Sequence, residues 1–428
     1  MPRFQRRLGY CLAAVGLAAI APLTLIPSPA EAALALRTPV RCIICGDVGG
    51  VDFLLNILLF VPLGIGLGLA GFSWRRAAVL AALLSCGIEL LQMKVIAGRD
   101  ASLGDVLTNT MGGGIGALLG AQWKRLIFPQ PSDARRMALA TALTLTAIWA
   151  GTARALAPMW PSGAPWYGQW AADLGHLELF LGTPLTVSAS GEPLLPGPAL
   201  DQGRLKDALA AAPEISIRAI LGTPTAGLAP IASIYDRWER EVILLGQDQQ
   251  DLEFRFRTHA VGMRLRSPIA ALPNGLSGQP GDTVEATGAL RDGAYELTAR
   301  NGKRTTSRTL PLSASWGWSL VLPWDYALGG EVHFVTALWI AVLLGVLAFW
   351  GALAGGSARA IAPVTAGVLL AAVPFAADFR PAHLSEWAGA LVGILLGFLC
   401  SRRAAGARPR GAELEYNEEP TTQTEAIS

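Results

Sequence analysis

The sequence predicts an α-helical polytopic membrane protein of about eight spans, with an all-β antiparallel sandwich set outside the membrane. Three observations predict it. The 428-residue chain is 52% hydrophobic and only 15% charged, against about a quarter charged in soluble domains. Its apolar residues gather into eight windows, each about long enough to cross a bilayer. Between the fifth and sixth windows, one long polar segment switches from the helical period to the two-residue period of strands.

The windows lie near residues 8–27, 51–71, 77–96, 104–121, 137–157, 332–352, 360–377 and 385–401. The first has two readings. Basic residues, an apolar run and Ala30-Glu31-Ala32 fit a cleaved signal peptide, but Leu8–Ile26 is longer than most signal cores, which favours an uncleaved span. Short loops set the orientation. Arg3, Arg6 and Arg7, then Arg75 and Arg76, Lys124 and Arg125, Arg135 and Arg136, Arg359, and Arg402 and Arg403 all fall on one side if the span count is even. That side is expected to be the cytoplasm of a bacterial inner membrane, which puts residues 158–330 outside it. The net charge of +2 gives no reason to expect a nucleic-acid partner.

The first external loop contains Cys42-Ile-Ile-Cys45. One CxxC cannot complete a tetrahedral zinc site. In an oxidising compartment a local disulfide is the expectation, and two unpaired thiols at the membrane boundary are the alternative. No other spacing suggests a metal, and no cofactor is expected.

Polar residues inside the spans carry the functional signal. Asp52 and Asn56 open the second span one helical step apart. Glu89 and Gln92 share a face in the outer half of the third. Arg99 lies in the short turn that follows, and Asp105 and Asn109 open the fourth. All seven fall at one membrane depth. Capping, dipole pairing and interhelical amide bonds account for part of this. Glu89 is harder to explain so simply, because an unpaired carboxylate a turn inside a span costs several kcal/mol. The seven are therefore candidates to line one pocket. Gly112-x3-Gly116-x3-Gly120 predicts close helix packing. Pro62, Gly64, Gly66 and Gly68 predict a kinked or loosened inner half of the second span.

Asp52-x3-Asn56-x3-Phe60-x-Pro62-x-Gly64, then Glu89-x2-Gln92, then Arg99-x5-Asp105-x3-Asn109-Thr110-x-Gly112 resemble the VanZ-like membrane domain over about residues 8–122. The resemblance implies a four-helix membrane domain, linked in the named member to low-level teicoplanin resistance.

Spans six to eight repeat part of this pattern. Arg380 precedes Glu386 as Arg99 precedes Asp105, and Gly393 and Gly397 follow as Gly112 and Gly116 do. Ala390 stands where Asn109 stood, so a degenerate second copy is expected. Glu331, His333, Asp378, His383 and Glu386 are expected at the external face as caps and interfacial groups rather than a metal site.

In the polar segment, EISIRAIL, APIASIYD, REVILLG, LEFRFRT and YELTARNGKRTTSRTL read as short strands, and GRLKDALAAAP as one or two helical turns. Turns are expected at 248–251, 291–293 and 301–302. The hairpin LLGQDQQDLEFRFRT resembles the laminin-G or concanavalin-A-like jelly roll of lectins and glucanases. No ExDxxE pair is present, which argues against hydrolysis. Trp166, Trp170, Trp238, Trp316, Trp318 and Trp324 are expected mostly in the core, with stacking on sugar rings as the alternative.

The expected organisation is a four-span VanZ-like domain over 1–128, a fifth span over 129–157 and the external sandwich over 158–330. A three-span segment over 331–403 and a disordered tail over 404–428 follow. The function expected is binding of an envelope lipid or lipid-linked glycan, through the polar pocket and a lectin-like domain. A membrane enzyme acting on such a lipid and a transporter are the alternatives. No nucleophile-plus-base motif argues for the enzyme.

Overall fold

The computed structural model describes residues 3–27, 40–96, 101–174 and 177–406. Arg99, the Ala30–Ala32 cleavage motif and the expected tail beyond residue 406 lie outside the described residues. Among those described, seven helices are long and apolar enough to cross a membrane. They are α1 (Arg3–Leu25), α2 (Gly49–Ala70), α3 (Trp74–Lys94), α6 (Pro131–Leu156), α8 (Val332–Ala354), α9 (Gly356–Ala376) and α10 (Leu384–Gly406). The eighth expected span is α4, the 19-residue helix Leu103–Ala121. Its polar first turns and its glycines lower its hydropathy, yet it packs along α2 within the bundle. A short helix, α5 (Trp123–Ile127), leads from it to α6. The helix α10 runs to Gly406, past the expected start of the tail at 404.

Two parallel helix pairs form the centres of the two bundles. In the first, a Cβ on Gly112, Gly116 or Gly120 of α4 would lie 2.2–2.3 Å from the carbonyl oxygens of Ile57, Val61 and Ile65 of α2. Nothing larger than glycine fits that approach. In the second, Gly389, Gly393 and Gly397 of α10 meet the carbonyls of Ala337, Ala341 and Gly345 of α8 at the same 2.2–2.3 Å. Helix α1 flanks α2, and α6 flanks α8. At the end rich in arginine and lysine, the Trp350 indole of α8 donates to the Leu126 carbonyl at 2.9 Å and ties the bundles together.

Two expectations about helix shape need correcting. The helix α2 is continuous through Pro62, and its inner half is not loosened. Gly64, Gly66 and Gly68 are buried there as close-packing positions against α4 and α1. The irregular span is α9, which holds a π-helical stretch at Val368–Ala372 just before Pro374. Proline has no N–H to give the preceding turn, and a π stretch absorbs the misfit.

The polar segment folds into a sandwich of two sheets. One has seven strands in the order β13-β9-β8-β7-β6-β1-β4. These are β1 (Trp166–Trp170), β4 (Gly197–Pro198), β6 (Ala229–Asp236), β7 (Glu241–Asp248), β8 (Asp251–Phe256), β9 (Ile269–Leu272) and β13 (Ala327–Leu328). The other has six, in the order β12-β11-β10-β5-β2-β3. They are β2 (Thr183–Ala189), β3 (Glu192–Pro193), β5 (Glu214–Ile220), β10 (Thr283–Arg291), β11 (Ala294–Asn301) and β12 (Arg304–Pro311). Pairing is antiparallel except where β13 joins β9 in parallel. The three expected turns fall between β7 and β8, β10 and β11, and β11 and β12. At the second, Asp292 and Gly293 both take positive φ, 47° and 67°, as a tight hairpin turn requires. The helix α7 (Gln202–Ala211) is ten residues long, more than the one or two turns expected, because the Asp201 side chain caps its Arg204 N–H at 3.0 Å.

The sandwich core joins Ile215, Ile217, Phe254, Phe256, Tyr295 and Leu297, and it takes in Leu156 from the end of α6 and Val332 from the start of α8. The sandwich is therefore seated on the helix ends rather than hung from linkers. Polar contacts reinforce the seat. The Trp318 indole donates to the Thr336 hydroxyl at 3.1 Å, Arg380 to the Asp292 carbonyl at 2.7 Å, and the Gly50 N–H to the Arg264 carbonyl at 3.0 Å.

Candidate functional site at the polar end of the first bundle

Each polar side chain is positioned by a helix end. Ser102 caps α4, with its hydroxyl accepting from the Asp105 N–H at 3.4 Å. This aims the Ser102 N–H out of the helix, where it donates to the Glu89 carboxylate of α3 at 2.6 Å. Across the α2–α4 contact, the Asn56 amide donates to Asp105 at 2.9 Å. Asp52 stands exposed in the first turn of α2. Glu89 is itself buried, only 7% exposed. A carboxylate in such a place keeps acceptor lone pairs that one N–H does not satisfy.

The structure thus brings Asn56, Glu89 and Asp105 around Ser102, and it separates the other two amides. Gln92 turns towards α1 and donates to the Thr24 carbonyl at 2.9 Å. Asn109 lies a turn deeper and donates to the Ser85 hydroxyl at 2.9 Å. The carbonyl oxygens of both amides, Gln92 Oε1 and Asn109 Oδ1, are buried without a hydrogen-bond partner among the described residues. Ser102 and Ser85 belong to the site although only acids and amides drew notice in the sequence. Both left a signal there. Ser102 sits three residues before Asp105, which is cap spacing, and Ser85 sits one helical step before Glu89 on the same face.

A small loop covers this end of the bundle. Cys42 and Cys45 are joined by a disulfide. The segment that carries them reaches α4 just before the disulfide ring, through the Val40 carbonyl, which accepts from the Leu103 N–H at 2.9 Å. It also touches the sandwich, since Arg264 donates to the Ile44 carbonyl. The disulfide loop therefore lies between the polar cluster and the β domain.

The second bundle builds no matching site. The buried Glu386 accepts from the Ser315 hydroxyl at 2.8 Å, and Ser315 in turn accepts from the Trp149 indole at 3.2 Å. This chain of contacts pins the sandwich to α6 and α10. The rings of His333 and His383 stack with centroids 4.1 Å apart, and Glu331 accepts from the Tyr326 hydroxyl at 2.6 Å. Among the described residues no three His, Cys, Asp or Glu side chains converge as metal ligands.

In the sandwich, Trp166, Trp316 and Trp318 are buried and Trp170 packs on the core. Trp238 and Trp324 are exposed, at 50% and 60%. Trp238 sits at the β6–β7 hairpin tip, with the guanidinium carbons of Arg237 and Arg240 at 4.2 and 4.6 Å from its ring centre.

Residues 14–124 match the family model described as VanZ/LLP1. The match runs from the middle of α1 through α4 to the start of α5, so it contains every residue of the polar cluster. No curated protein and no solved structure matches the chain.

Proposed function

We propose that this multi-pass membrane protein belongs to the bacterial envelope. In this reading its polar cluster binds the headgroup of an envelope lipid or lipid-linked glycan, taken from the leaflet that faces the β domain. The observation that carries the reading is Glu89. Its carboxylate is buried inside a span and, among the described residues, held by one backbone N–H, beside the Asn56–Asp105 pair. A protein gains nothing in stability from such a group unless its remaining lone pairs are met, and the hydroxyls of a sugar or a glycerol headgroup would meet them. The unpartnered carbonyls of Gln92 and Asn109 add acceptors of the same kind. Arg99, six residues before Asp105 in the sequence, is the candidate cation for a phosphate in the same ligand. The exposed Trp324 gives the outer domain a flat apolar face on which a glycan can stack. The resemblance to the VanZ-like family makes teicoplanin susceptibility a natural readout.

The test is Glu89→Gln, which keeps the side-chain shape and removes the charge. Purified wild-type protein, incubated with the total lipid extract of its host, should retain a hydroxyl-rich lipid in native mass spectrometry. The variant should retain at least about tenfold less, the loss expected for one charged hydrogen bond, while staying monodisperse. Undiminished retention by Glu89→Gln, together with unchanged teicoplanin susceptibility of a strain carrying it, would show a purely structural cluster.

A further inference from the structure

At the opposite end of the molecule, a groove of about 560 Å³ opens between the last turns of α8 and α10. Leu353, Leu395, Phe398 and Leu399 line it, together with Arg359 and Arg402. We propose that this groove binds an anionic phospholipid, with the acyl chain against the leucines and the phosphate between the two guanidinium groups.

Three features of the groove point to such a lipid. The groove is amphipathic along the membrane normal. Leu395 and Leu399 are 52% and 54% exposed on a spanning helix, a surface that only hydrocarbon would cover. Arg402 lies one turn further on, where that helix leaves the apolar layer, and Arg359 lines the same groove, so charge and apolar wall are ordered as they are in a lipid. The arginines also come from separate elements. Arg359 belongs to the short 3-10 turn Gly356–Ala360 that opens α9, and Arg402 to the last turns of α10. Neither forms a salt bridge with any described residue, whereas Arg204, Arg240, Arg255 and Arg291 of the sandwich all do. Two guanidinium groups that line one groove, neither paired with a described residue, suit a phosphate, which accepts their paired N–H donors. Finally, the volume lies within the roughly 300–1,000 Å³ of ordinary ligand pockets, enough for a headgroup and the upper part of a chain.

The site differs from the polar cluster of the first bundle in position, in charge and in ligand chemistry. It needs no hydroxyl-rich headgroup, and Glu89 plays no part in it.

The experiment uses the full chain, purified in mild detergent and offered an equimolar mixture of phosphatidylglycerol and phosphatidylcholine. Native mass spectrometry should show phosphatidylglycerol retained in preference. The double variant Arg359→Gln/Arg402→Gln should lose about twentyfold of that retention, with the phosphatidylcholine background unchanged. Lysine at both positions should keep part of it, and Glu89→Gln all of it. Leu395→Trp, which fills the wall without touching charge, should also reduce it. Equal retention of the two lipids by the wild type would overturn the proposal, as would full retention by the double glutamine variant. Displacement by millimolar inorganic phosphate alone would overturn it too, because it would mean a phosphate site without a chain. Beyond Gly406 the sequence carries Glu413, Glu415, Glu418, Glu419 and Glu425, which offers a competing occupant. If phosphatidylglycerol binds only after these five are changed to glutamine, the chain's own tail fills the groove and the lipid reading fails.

Discussion

Tyr295 brings a hydroxyl into the middle of the sandwich. The residue is fully buried, its ring stacks on Phe256 with centroids 5.4 Å apart, and its oxygen has no hydrogen-bond partner. Tyr295→Phe keeps every ring contact and removes the stranded group, so it should stabilise the sandwich by about 1 kcal/mol. Differential scanning fluorimetry of the purified protein reads this as a higher Tm; a lower one would mean that the hydroxyl is satisfied. Glu253 shows the corresponding effect with charge. Burial first, and then the nearby Asp248, push its carboxyl from an ordinary 4.5 up to about 7. The folded state therefore holds this proton more tightly than the unfolded chain does. Its stability is fullest below about pH 4.5 and falls as pH rises to about 7. Thermal unfolding between pH 5 and 8 should show that decline, and Glu253→Gln should flatten it and raise Tm at pH 8. Neither residue stood out in the sequence. A tyrosine and a glutamate in alternating strands read as surface or core only once the sheets are stacked. The polar cluster was half legible for the same reason. Asn56 and Asp105 share a depth that spacing alone reveals, but the rotation that turns Gln92 to Thr24 and Asn109 to Ser85 is set by how the helices meet.

Helices and hairpins were the most legible elements. A span announces itself by twenty apolar residues, and the turn at Asp292-Gly293 by the positive φ that only a few residues tolerate. What a glycine does inside a span is less legible. Gly112 and Gly393 belong to close-packed stripes as their spacing suggested, yet Gly64 and Gly68 were expected to loosen α2 and instead pack it. A glycine reads the same in sequence whether the space beside it is filled or open. The difference is testable. At Gly116 a Cβ would meet the Val61 carbonyl at 2.2 Å, and at Gly397 the Gly345 carbonyl at 2.3 Å. Backbone cannot yield as a side chain can. Gly116→Ala and Gly397→Ala should each cost about 1–3 kcal/mol and lower the thermal midpoint in detergent. At Gly114 the nearest atom is the Ala78 methyl at 3.6 Å, so Gly114→Ala should be tolerated. Equal effects at all three positions would mean that the helices do not approach so closely.

At the scale of the whole molecule, the helix ends divide into two kinds. One end carries the arginine and lysine pairs and is closed by the Trp350–Leu126 contact. The other carries the polar cluster, the disulfide loop and the seated sandwich, joined through Arg264, Arg380 and Ser315. Basic loops stay in the cytoplasm during insertion, so this asymmetry predicts which end faces out. If the sandwich end faces out, the Cys42–Cys45 bond lies in an oxidising compartment, and the Glu89 cluster opens to the outer leaflet. A labelling experiment decides it. In a background with Cys11, Cys86 and Cys400 replaced by serine and the disulfide kept, a single cysteine is placed at Lys303, in the β11–β12 turn, or at Arg136, whose side chain is 83% exposed near the start of α6. A membrane-impermeant maleimide should label Lys303→Cys in intact spheroplasts and Arg136→Cys only after lysis. The reverse pattern would invert the molecule, expose the disulfide to a reducing compartment and move the proposed lipid headgroup site to the inner leaflet. Labelling of both in intact spheroplasts would mean an even number of crossings between them. Only α6 separates the two positions, so α6 would then lie outside the bilayer.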